Sequence, residues 1–185
     1  MTIRPILVFG DPRLEATNLP VVDFGADLQS TIRDLFETGW KAPGLGVAAP
    51  QIGINIRLAT IDLSVGKDPD ARIVLANPEI THRQGGASLE EGCLSFPGLF
   101  TTIHRPTALT VRAQDETGAW REIDADGLLA QAVCHELDHL DGILLTHHLR
   151  GMKRKLFMRR VEKMRKLGVW PQSPAEIAGP GIPNS

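Results

Sequence analysis

Apolar residues fall in short runs along the chain, and their spacing separates helix from strand. Leu28, Ile32, Leu35 and Phe36 recur on one helical face, which predicts a helix over 26–38 that ends at Gly39. The same spacing predicts a helix over 127–140, with Asp126 as N-cap and a stop near Gly142. A further helix is predicted over 152–167, with Phe157, Val161 and Met164 on its apolar side. Dense apolar residues over 56–63 and 71–76 predict strands, the second closed by Asn77-Pro78. Segments 107–113 and 119–123 flank a turn at Gln114-Asp115-Glu116-Thr117-Gly118 and predict an antiparallel hairpin. Residues 1–24, broken by Pro5, Pro12 and Pro20, read as extended loop, and the Gly- and Pro-rich stretch 85–106 as irregular. The expected class is α+β, with antiparallel or mixed strands around a central helix and another helix at the C-terminal end.

Composition narrows this to one domain. The 185 residues, 42% hydrophobic and 23% charged, suffice for a single core. That domain is expected over 1–168, followed by a Pro- and Gly-rich disordered tail over 169–185. No apolar run approaches the roughly 18 residues of a membrane span. The first residues lack a signal-peptide pattern, so a cytoplasmic location is expected. Cys93 and Cys134 are too few for a disulfide scaffold and are expected as thiols. Charge is uneven: residues 1–149 hold eleven basic and twenty acidic side chains, residues 150–166 nine basic and only Glu162. The basic segment suits either an anionic partner or a solvated helix face.

The strongest chemical signal is His135-Glu136-Leu137-Asp138-His139, an H-E-x-x-H pattern inside the predicted 127–140 helix. Spacing i, i+4 puts both imidazoles on one face, able to share a metal ion. Glu136 lies about 100° round the helix, beside the metal, where a general base for water belongs. A third ligand must come from elsewhere. The H-E-x-x-H-x-x-G-x-x-H pattern is met at Gly142 but fails at Leu145, and His147 and His148 miss the position. Glu162 sits in the basic segment. Cys93, between Gly92 and Leu94, is the better candidate and would leave one position open for water. Cys134 points away from the two-histidine face and reads as a core residue. Gly44-Leu45-Gly46-Val47-Ala48-Ala49 fits G-x-G-x-x-A, but Pro43 and Pro50 prevent the helix that a dinucleotide site requires. These glycines instead allow backbone to approach a ligand, and Gln51 beside them offers an amide donor for an oxyanion.

Three motifs together resemble the peptide deformylases of the bacterial type I class, over about residues 1–168. They are Gly44-Leu-Gly-Val-Ala-Ala-Pro-Gln51, Glu91-Gly-Cys-Leu-Ser95 and His135-Glu-Leu-Asp-His139. The resemblance implies that Cys93, His135 and His139 hold a divalent metal, natively Fe²⁺ in many members, with Ni²⁺, Co²⁺ or Zn²⁺ also found. It implies that Glu136 is the base and that Gln51 and the Leu94 N–H stabilise the oxyanion as formate leaves a formyl-methionyl peptide. The peptide would pair alongside Leu45, Gly46 and Gly92 as an added strand. Its methionine side chain would sit near Leu45, Leu89, Leu128 and Ala132. The basic segment 150–166 would dock on the ribosome. Three positions depart from the family pattern. Cys134 stands where Gln is common, a position that is neither a ligand nor the base. Gln131 replaces an apolar pocket residue, and Phe100 a substrate-positioning Arg, so altered side-chain preference is expected. The competing readings are an H-E-x-x-H metallopeptidase, which lacks a correctly spaced third ligand, and a closed structural metal site in an RNA-binding module. The latter needs four ligands and gives Glu136 no purpose.

Overall fold

A computed structural model describes residues 3–168 and 170. Among these residues three helices are formed: α1 (Ala26–Lys41), α2 (Gly127–Leu140) and α3 (Gly151–Lys166). Seven strands accompany them: β1 (Gly46–Ala48), β2 (Leu58–Asp62), β3 (Arg72–Gln84), β4 (Ala87–Gly92), β5 (Phe100–Arg105), β6 (Ala108–Gln114) and β7 (Trp120–Asp126). One sheet has the order β1-β2-β3-β6-β7 and the other pairs β4 with β5, and every ladder is antiparallel. The fold is α+β, as expected.

The central helix α2 has the bounds its pattern predicts, and it packs on the large sheet through small residues. Ala130, Val133 and Cys134 meet Ala48, Ala59, Ile61, Leu75 and Val111 in one buried cluster. Asp126 occupies the N-cap position, but its side chain makes no capping bond. The other end of α2 is held from outside. Asn18 Nδ2 donates to Leu140 O at 3.0 Å and to His139 O at 3.3 Å, and Arg57 Nη1 donates to Leu140 O. Asn18→Ala removes one donor from each of two carbonyls, leaving Arg57 on Leu140 O and the Gly142 N–H on His139 O. It is expected to lower stability by about 0.5–1.5 kcal/mol, read as a lower denaturation midpoint at unchanged slope. An unchanged midpoint would contradict this account of the helix end.

Two expectations are corrected. The segment 85–106 is not irregular but carries β4 and β5. Its alternation is disguised because two of the inward positions are charged: Glu91 and Arg105 are buried and pair with each other. The strand expected to close at Asn77-Pro78 continues as β3 to Gln84. Asn77 takes a positive φ of 50°, and a register shift between Ala76 and Glu79 accommodates Pro78, which has no N–H to donate. Smaller differences follow local packing. α1 runs past Gly39 to Lys41, with Gly39 close against Val47.

A second cluster places α3 beneath the loop between β4 and β5. Phe157 and Val161 of α3 pack with Phe96, Leu99 and Leu144. Phe96 is fully buried, which contributes about 1.5–3 kcal/mol. Trp170 meets the Phe96 ring edge-on at 6.5 Å, so the packed unit extends past residue 168. The remainder of the expected tail lies outside the described residues. No helix among the described residues is long and apolar enough to cross a membrane.

Candidate metal centre and catalytic site

Helix α2 brings His135 and His139 to one face, with ring centroids 5.0 Å apart. The loop after β4 brings Cys93 to the same place, its Sγ 3.2 Å from His139 Nε2. One ligand atom from each of the three lies within 4.8 Å of the others. The other third-ligand candidates do not reach them. His147 faces Glu15, His148 faces Asp138, and Glu162 pairs with Lys166. Cys134 is buried in the core, and both cysteines are free thiols. Burial opposes ionisation of the Cys93 thiol, but His139 and His135 outweigh it and bring it down to about 5. A thiolate and two imidazoles fit a divalent transition metal. Three protein donors are one fewer than a closed structural site takes, the pattern of a catalytic centre.

Each neighbour of this cluster is oriented by a specific contact. His135 Nδ1 lies 3.1 Å from Glu91 Oε2. Burial opposes the charge on Glu91, yet His135 and Arg105 hold its carboxyl down to about 2. An ionised carboxylate only accepts, so Nδ1 carries the proton and Nε2 is left to bind metal. Gln51 is buried, with its Oε1 accepting from the Ala48 N–H at 2.9 Å. That bond turns Nε2 toward Ser95 Oγ and Cys93 Sγ, at 3.3 and 3.8 Å. The Leu94 N–H finds no acceptor among the described residues. Glu136 is 3% exposed, and its Oε2 is buried without a hydrogen-bond partner. Burial, opposed by His135 and His139, pushes its carboxyl up to about 7. A group poised there can take and return a proton near neutral pH.

These groups open on a cavity of about 580 Å³. Its walls include Leu45, Gly46, Gly92, Leu128 and Ala132, all expected to bind substrate. Leu89 is not among them: it lies two residues before Glu91 on β4, half-buried and paired with Ile103. Gln131 and Phe100 also line the cavity. Gln131 Nε2 donates to Glu90 O at 2.9 Å, and the Phe100 ring covers Gly92. Among the described residues, β1 pairs only with β2, and β4 only with β5. The cavity is therefore flanked by two edge strands, the surface on which an extended peptide can add.

Gly46 shows how tightly the site is built. A Cβ there would stand 2.5 Å from Glu136 Oε1. Gly46→Ala must displace that carboxyl, and a shift of about 1 Å in a catalytic group can lower the rate about 100-fold. The expected result is that loss in kcat with metal content unchanged, while wild-type kcat would contradict the placement.

Residue spacing alone missed the outer partners. Glu91 lies two residues before Cys93, inside a motif already singled out, but its partner Arg105 is fourteen residues away with no local pattern. Ser95, which holds Gln51, was likewise visible only as a motif residue.

Comparison with known proteins bears on the family and the fold. The family model described as polypeptide deformylase matches residues 3–155. The peptide deformylase of Acidobacterium capsulatum is 47% identical over 170 residues, covering 92% of this chain and all of the relative. Peptide deformylase 2 of Xanthomonas campestris is 42% identical, covering 90% of this chain and 98% of the relative. The crystal structure of a peptide deformylase from Legionella pneumophila superposes with a TM-score of 0.85 at 42% identity, over 90% of this chain and 98% of that one.

Proposed function

The chain belongs to the polypeptide deformylase family, and we propose that Glu136 is its general base, beside a metal held by Cys93, His135 and His139. The protein is a metal-dependent hydrolase that removes the N-formyl group from nascent polypeptides. A divalent metal held by Cys93, His135 and His139 would supply Lewis-acid polarisation and would lower the pKa of water toward neutrality. Glu136 takes the proton of the attacking water. It returns that proton to the amine nitrogen as the carbon–nitrogen bond breaks, so that formate and a free amino terminus leave. Gln51 Nε2 and the Leu94 N–H donate to the oxygen of the tetrahedral centre, and each such donor supplies about 3–4 kcal/mol. The peptide lies between Leu45 and Gly46, where β1 begins, and Gly92, where β4 ends, with methionine against Leu45, Leu128 and Ala132.

The observation that carries this reading is Glu136 Oε2, buried and unpartnered among the described residues, at a cavity that Cys93, His135 and Gln51 also line, with His139 against Cys93. Formate release from a formyl-methionyl tripeptide by the metal-loaded protein tests it. Release that depends on metal supports the reading, and no release from a folded, metallated protein overturns it.

Family resemblance favours Fe²⁺ as the native metal. The donor set also accepts Ni²⁺, Co²⁺ and Zn²⁺, and the metal content of anaerobically purified protein decides between them. Gln131 places an amide in a largely apolar wall, and Phe100 places a ring at the mouth. A weaker preference for formyl-Met over formyl-Leu and formyl-Ala than in a typical deformylase is the expected outcome; an equal preference would contradict it. The basic helix suits a ribosomal partner in the cytoplasm. Arg154, Lys155, Arg159, Arg165 and Lys166 line a groove of about 750 Å³ beside Phe9, a surface that attracts phosphates. Charge reversal at Arg154, Lys155 and Arg159 is expected to abolish salt-sensitive co-sedimentation with ribosomes, and unchanged co-sedimentation would remove this partner.

A further inference from the structure

We propose that Arg105, Asp138 and His148 form a positioning relay from the surface to the ligand His135, and that this relay sets how long the centre keeps its metal. The proposal rests on Cys93, His135 and His139 being the metal ligands. Four direct contacts make up the chain. His148 Nε2, at the surface, lies 2.7 Å from Asp138 Oδ2. The same oxygen lies 2.8 Å from Arg105 Nη2. Arg105 then grips Glu91 with both arms, Nε to Oε1 at 2.7 Å and Nη2 to Oε2 at 3.0 Å. Glu91 Oε2 finally accepts from His135 Nδ1 at 3.1 Å.

Each member has a defined task. Glu91 alone could rotate about its own side chain; the two-armed hold of Arg105 fixes its plane. Arg105 is itself buried, and it faces a carboxylate on either flank. Asp138 is partly exposed, so water competes for it. His148 donates to its Oδ2 and keeps that carboxylate turned inward on Arg105. The two histidine ligands are not equivalent in this respect. Among the described residues, His139 Nδ1 is buried with no hydrogen-bond partner, whereas His135 Nδ1 meets Glu91. The four supporting residues come from β4, β5, α2 and the segment before α3, which ties the metal site to the packing of all four. Arg105, Asp138 and His148 are therefore positioning residues: none reaches the cavity that holds the reacting groups.

The test uses the full-length protein loaded with Co²⁺. Cobalt loss to excess EDTA, the visible cobalt spectrum and the melting temperature of the metal-free protein are measured for wild type, Asp138→Asn, His148→Ala and His148→Gln. Outer partners of metal ligands typically change metal affinity about 10–100-fold. Asp138→Asn and His148→Ala are expected to lose cobalt about tenfold faster, with a shifted spectrum and little change in metal-free melting. His148→Gln, whose amide can donate to Asp138, is expected to restore both rate and spectrum. Wild-type release rates and spectra in Asp138→Asn and His148→Ala overturn the relay. So does faster release that follows a drop in metal-free melting and is not rescued by glutamine. A wild-type protein that takes up no cobalt overturns the metal centre itself, and the relay with it.

Discussion

Replacing Glu136 with alanine is expected to leave the metal bound and the fold intact while kcat falls about 10²–10⁴-fold, the usual contribution of a positioned base. The metal should stay because Glu136 is not among the three clustered donors. The fold should stay because the carboxyl lies at a cavity wall with one oxygen unpartnered, so little native bonding is lost. Burial already disfavours its charged form, and removing a buried carboxyl relieves a desolvation cost. The melting temperature should therefore hold or rise. Because the lost interaction acts in the transition state, kcat and kcat/KM should fall together. A variant that keeps more than a tenth of the wild-type kcat would remove Glu136 from the base role.

The second large effect is expected at Cys93. Serine in its place keeps the size and the backbone, including the bond from Phe96 N–H to the residue 93 carbonyl. It does not keep the chemistry. A serine hydroxyl does not ionise near neutral pH, whereas the Cys93 thiol is brought down to about 5 by His139 and His135 against burial. Loss of an outer partner of a ligand costs about 10–100-fold in metal affinity, so loss of the ligand itself should cost more. Cys93→Ser is expected to lose its metal on gel filtration in chelator and to be inactive, with near-native secondary structure. Stoichiometric metal retained under chelator would show that another residue completes the set.

How far the sequence could be read depends on where charge is buried. α2 emerged with its true bounds because its apolar and small residues follow helical spacing without interruption. The β6–β7 hairpin emerged because a recognisable turn separates two alternating runs. β4 and β5 did not, because the inward positions of that sheet include Glu91 and Arg105, which mimic exposed residues until their pairing is seen. β3 was cut short at Pro78, where Asn77 absorbs the irregularity through its positive φ and its side-chain bonds to Val21 and Gln114. In the site, helical spacing paired His135 with His139, and motif order pointed to Cys93 and Gln51. The support of His135 by Glu91 and Arg105 is a tertiary contact with no spacing rule behind it.

The most direct test follows the oxygen atom. A formyl-methionyl peptide is turned over by the metal-loaded protein in water enriched in heavy oxygen, and formate and peptide are weighed by mass spectrometry. If water activated beside Glu136 attacks the formyl carbon, formate carries one heavy oxygen and the peptide gains a free amino terminus with no label. Label in a new peptide carboxyl would mean that an internal peptide bond is the one hydrolysed. That result would contradict the assignment of this centre to deformylation.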